Sequence, residues 1–213
     1  MKKRSLGYLC GVVGISLVTL SVGTQSVSAA PVTTKTTQGT VTYTEGDVVI
    51  DGAKLPDSLN FGTHAIRNDI EQTFYATDDG TDTENASAAN LTTGKVEVTD
   101  NRSSSTHGWT VNVQQTAQFA NGSDVLTGST LSIYGDPSLV TNVTGANGFS
   151  SGKLDVAVGS DKVVLAAKAT DTNAKFVSLD LTKFSLTVPA NAPKTNVTYT
   201  SDIVWTTSNT PGV

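Results

Sequence analysis

The chain has 213 residues, 37% of them hydrophobic, with 19 acidic against 14 basic side chains and a single cysteine. A net charge of −5 argues against a nucleic-acid partner, because neutralising phosphates supplies most of that affinity. One cysteine excludes a disulfide scaffold, and the length suffices for one domain with a substantial core.

The N-terminus reads as a secretory leader. "MKKR" is a short basic region, Leu6 to Val22 form an uncharged apolar stretch, and "SVSAAP" supplies small residues for cleavage. A cut after Ala29 puts Val27 and Ala29 at the two positions the peptidase reads, and no later apolar segment is long enough to span a bilayer. Residues 1–29 are therefore expected to leave, taking Cys10 with them. Loss of Lys2, Lys3 and Arg4 leaves 11 basic against 19 acidic residues, a net charge of −8. An exported chain without thiols or disulfides fits a Gram-positive bacterial surface. At −8, binding to an anionic wall cannot rest on overall charge; it needs specific hydrogen bonds, stacking or bridging cations.

Residues 30–40 are rich in Thr and Gln and read as a flexible tail; residues 41–213 read as the domain. Alternating runs follow in order: "TVTYTEGDVVI", "GKVEVTD", "GWTVNVQQTAQF", "STLSIYG", "SGKLDVAV", "KVVLAAKA", "FVSLDL", "KFSLTVP" and "VTYTSDIVWTTS". Period-2 patterning, β-branched enrichment and regular Gly, Asn, Asp and Pro clusters predict an all-β fold, a single sandwich- or barrel-like domain of mostly antiparallel strands. "THAIRNDIEQTF" (63–74) has the spacing for one helical turn. "KVEVTD" and "WTVNVQ", joined by the polar "NRSSSTHG", read as a hairpin with Trp109 opening its second strand.

Alternation also orients the tryptophans. Trp109, Val111 and Val113 share one face, and Val197, Tyr199, Ile203 and Trp205 share another, so both indoles are expected in the core. Each then needs a partner for its N–H.

Catalytic residues are sparse. His64 and His107 are the only histidines, and His107 beside "SSST" and Asp100 has no nucleophile-elbow sequence around it. No cofactor is implied, and the chain reads as a non-enzyme. The densest acidic stretch, "DDGTDTEN" (78–85), offers Asp78, Asp79, Asp82 and Glu84 as oxygen ligands for calcium with Gly80 at the turn, although the spacing matches no EF-hand loop.

Two distant stretches carry the decisive pattern. "GWTV" at 108–111, with "LTVPANAPKTNVTYTSDIVWTTSNTP" at 186–211, resembles the WxL domain of Gram-positive surface proteins. That family carries two Trp-x-Leu motifs, the second near the C-terminus with a preceding Tyr and a following Pro. The first motif corresponds here to Trp109, Thr110 and Val111, the second to Tyr199, Trp205, Thr206, Thr207 and Pro211. "LPDSLNFG" (55–62) resembles the family's early Leu-x-Phe-Gly region, and "VEVTDNR" with "GWTVNV" its Asp-then-Trp hairpin. Both motifs depart from the family at the position where leucine is usual: Val111 keeps an apolar residue there, whereas Thr207 puts a hydroxyl. The resemblance implies a secreted, stand-alone module held non-covalently at the cell surface through peptidoglycan. Its alternative is a structural partner in a cell-surface complex, bound through a protein rather than a glycan.

Overall fold

The computed structural model describes residues 37–103, 108–140, 142–145, 147–149 and 151–212; the leader lies outside them. Contacts divide the chain after Thr42, and the described residues before that point form neither strand nor helix. From Tyr43 onward the described residues are nearly all β, in antiparallel sheets that pack on one another without closing into a barrel. The sandwich expectation holds.

The larger sheet contains β1 (Val48–Ile50), β2 (Gln72–Tyr75), β3 (Gly94–Asp100), β7 (Thr130–Gly135), β8 (Lys153–Asp155) and β10 (Phe176–Val188), in the order β1-β3-β10-β7-β8 with β2 also on β10. The smaller sheet runs β11 (Ile203–Ser208), β4 (Trp109–Gln115), β9 (Lys162–Ala167). Strands β5 (Ala120–Asn121) and β6 (Asp124–Val125) pair as a short ribbon. Val96, Val98, Leu131, Ile133, Leu179 and Phe184 from the larger sheet meet Trp109, Val111, Val113 and Leu165 from the smaller in one buried cluster. Alternating β-branched and aromatic residues suit such faces because every second side chain points inward.

Several local expectations change; the C-terminal run forms a strand only from Ile203, and Val197, expected on its inward face, is exposed. The runs at 176–181 and 183–189 are one strand, β10, with a register shift between Leu181 and Lys183. Before it Val177, Leu179 and Leu181 are buried; after it Phe184, Leu186 and Val188 are. A bulge residue flips the inward parity, which in sequence looks like a break between two strands.

No helical turn forms over 63–74, where β2 occupies the C-terminal end. Ile66 and Ile70, four residues apart in this stretch, are both exposed, so no packing rewards a helix there. His64 instead stacks on Phe74, with ring centroids 3.6 Å apart.

Strands β3 and β4 do not form a hairpin. β3 pairs with β1 and β10, whereas β4 pairs with β11 and β9, so Asp100 ends a strand of one sheet and Trp109 opens a strand of the other. Turn-forming residues cannot distinguish these outcomes, because an arch and a hairpin need the same polar loop. Trp109 does open its strand, as expected.

Candidate functional site

The smaller sheet brings the two motifs side by side. β11 lies antiparallel to β4 in a register that sets Trp205 opposite Val113, Thr206 opposite Asn112, and Thr207 opposite Val111. The third residue of each motif thus faces the other directly. The two indoles share the inward face but lie about four positions apart along the strands, roughly 13 Å at strand rise.

Their surroundings differ. Trp109 is fully buried, and its Nε1–H donates to the Ala174 carbonyl at 3.1 Å. Trp205 is only partly buried and packs against the edge of the core. The core expectation therefore holds in full for Trp109 and in part for Trp205.

A close junction ties the start of motif 1 to the end of motif 2. A side-chain carbon on Gly108 would collide with the Ala167 carbonyl and come within 2.7 Å of Pro211 Cβ, so only glycine lets Pro211 lie against it. Thr110 Oγ1 donates to the Thr210 carbonyl at 2.9 Å, and the Gly212 N–H donates to the Ala167 carbonyl at 2.9 Å. Thr110 and Pro211 are thus joint-forming residues.

Behind this junction sits a buried ion pair. Arg102 Nε donates to Asp100 Oδ1 at 2.8 Å and Nη2 to Oδ2 at 2.9 Å, while Nη2 also donates to the Gly108 carbonyl at 3.1 Å. Burial pushes the Asp100 carboxyl up, but the hydrogen bonds and charge of Arg102 outweigh it and hold the group below its ordinary value. Asp100 is thereby committed to Arg102, which in turn ties to the residue preceding Trp109. The formal catalytic partner His107 lies outside the described residues.

Trp205 also lines a cleft of about 460 Å³. One wall is the C-terminal segment, with Tyr199, Thr200, Ser201, Asp202 and Trp205; the other is the "LPDSLNFG" segment, with Pro56, Asp57, Ser58, Leu59 and Phe61. Phe119, edge-to-face on Phe61 at 6.0 Å, helps form the floor. A neighbouring hollow of about 700 Å³ shares Leu59, Phe61, Phe119 and Tyr199 and extends past His64, Ile66 and Val197. The Tyr199 hydroxyl accepts the Thr195 N–H at 2.9 Å, which fixes the ring between the two hollows. Aromatic faces flanked by hydroxyls and carboxylates can stack on apolar sugar faces while binding their polar edges.

The sequence marked Tyr199 and Trp205 but missed Asp57, Ser58 and Asp202. The likeness of "LPDSLNFG" to the family's early region was the one available signal, and no local pattern shows that it faces the C-terminus.

The suggested calcium ligands engage separate partners. Asp79 accepts from Thr81 N and Oγ1 and from Asn90 Nδ2; Asp78 accepts from Thr92 Oγ1; Asp82 accepts from Asn85 Nδ2; Glu84 lies 3.7 Å from His64. Among the described residues no three His, Cys, Asp or Glu side chains form a metal-holding group. The loop is held by its own hydrogen bonds, so it supplies no converging ligand set.

The family model for the WxL domain, described as surface cell wall-binding, matches residues 22–211. The chain belongs to the WxL family. That membership makes cell-wall attachment its role and the cell surface its place of action. Comparison with curated proteins and with solved structures gives no match. Among the described residues no helix is long and apolar enough to cross a membrane.

Proposed function

We propose that this WxL protein is secreted and, as a stand-alone non-enzymatic module, binds peptidoglycan through the cleft between the C-terminal segment and residues 56–61. The observation carrying this reading is the part-exposed Trp205, a motif residue, on the wall of a cleft that also holds Tyr199 and several hydroxyls. A glycan strand offers apolar ring faces to the aromatics and hydroxyl and amide groups to Ser58, Thr200 and Ser201. No reacting group is required for such attachment.

The test is co-sedimentation of residues 30–213 with purified Gram-positive sacculi stripped of secondary polymers. Saturable retention, lost in Trp205→Ala while the melting curve remains cooperative, is expected. A folded protein left in the supernatant overturns the peptidoglycan reading.

A protein partner is the alternative, favoured by β11 itself. It is an edge strand without a charged residue, and its Val204 is exposed, the surface that strand addition uses.

A further inference from the structure

The outer face of the larger sheet carries a feature unrelated to either motif. Lys153, Tyr134 and Lys183 form one row across β8, β7 and β10, and the next row holds Asp155, Ser132, Ser185 and Tyr75. Lys183 Nζ sits 4.9 Å from the Tyr134 ring centroid and 5.4 Å from that of Tyr75. Lys153 Nζ lies 2.9 Å from Asp155 Oδ1, in a pair whose side chains are 41% and 57% exposed. Lys162, on β9, adds its positive charge within electrostatic reach of Asp155.

Three observations decide what such a face presents. The lysine lies over the tyrosine rings, so the face offers an ammonium and not an open stacking platform. The Lys153–Asp155 pair is solvent-exposed, and such pairs are weak enough to exchange the carboxylate for another anion. In these two rows Lys153 and Lys183 stand against the single carboxylate of Asp155, a local excess of one positive charge in a mature chain predicted to carry −8.

We propose that the Lys153–Tyr134–Lys183 row is a second wall-contact surface, which takes the phosphodiester groups of an anionic wall polymer. Lysine binds phosphate as a compact point charge with several donors. Two lysines in one row of a rigid sheet, with backbones two strands and so roughly 10 Å apart, can engage separated phosphates on one flexible chain. The proposal rests on wall attachment as such and is independent of the cleft.

The experiment compares retention of residues 30–213 on intact sacculi and on sacculi stripped of phosphodiester polymers. Binding to stripped sacculi reports the cleft, and the increment on intact sacculi reports this face. The increment is expected to weaken with rising salt and to fall about tenfold in Lys153→Ala/Lys183→Ala, which removes one exposed and one half-buried charge together. Binding to stripped sacculi should stay unchanged in that variant. Lys54→Ala/Lys168→Ala, which removes the same charge away from this face, should retain the increment. The proposal is overturned if intact sacculi give no increment, or if both double variants lose it equally. Equal retention on anionic phospholipid vesicles would also overturn it, by reassigning the face to a membrane.

Discussion

β4 and β11 are neighbours with the same alternating apolar pattern, yet they do different work. β4 is the middle strand of its sheet, with Trp109, Val111, Val113 and Gln115 all buried on one face. β11 is an edge strand whose inward residues Ile203, Trp205 and Thr207 are only partly covered. Equivalent motifs therefore separate into a structural half and a half that remains available to a ligand. Burial at the sheet's centre rewards apolar packing, whereas an edge leaves one side of each residue to solvent.

Truncating the two tryptophans is the most direct way to break this contrast. Trp109→Ala should lose about 3–5 kcal/mol of stability, the range for emptying a filled core site. Trp205→Ala should lose roughly half as much while abolishing retention on sacculi. Denaturant melts read both, and equal losses would show that the two strands are energetically alike.

Asp100→Ala should cost about 3–5 kcal/mol, because it strands the buried Arg102 guanidinium. The wild-type pair also sets a pH response. The Asp100 pKa is lower in the folded than in the unfolded state, so the unfolded chain binds more protons as acid is added. Its contribution is complete above the unfolded value of about 4 and disappears as pH falls through the lower folded value. Melting temperature below pH 4 should drop more steeply in wild type than in Asp100→Asn; parallel curves would remove Asp100 as the cause.

Gly108→Ala tests the junction of the two motifs and should cost about 1–3 kcal/mol as overpacking against Ala167 and Pro211. A variant as stable as wild type would mean that Pro211 can move aside freely. The smallest effect sharpens the comparison. Thr207→Leu restores an apolar partner opposite Val111 at the partly covered edge and should add about 0.2–1 kcal/mol, read as a rise in melting temperature of the order of a degree or two. A fall would place Thr207 in a polar contact that leucine cannot make.

Much of this protein was legible in its residues alone. Period-2 alternation with β-branched side chains specified strands and their inward faces, because that period is a local property of extended backbone. The spacing of Trp109, Tyr199, Trp205 and Pro211 pointed to the family. What alternation cannot encode is the identity of a strand's neighbours. A polar loop after Asp100 serves a hairpin or an arch equally well, and the bulge in β10 imitates a strand break. Only tertiary packing placed β4 at the centre of its sheet and β11 at the edge, burying one tryptophan and leaving the other on a cleft. It also brought residues 56–61 across from residues 199–205, nearly 140 positions away in sequence. Long-range contacts of that kind are set by which arrangement buries the most apolar surface across the whole chain, and no local window contains that sum.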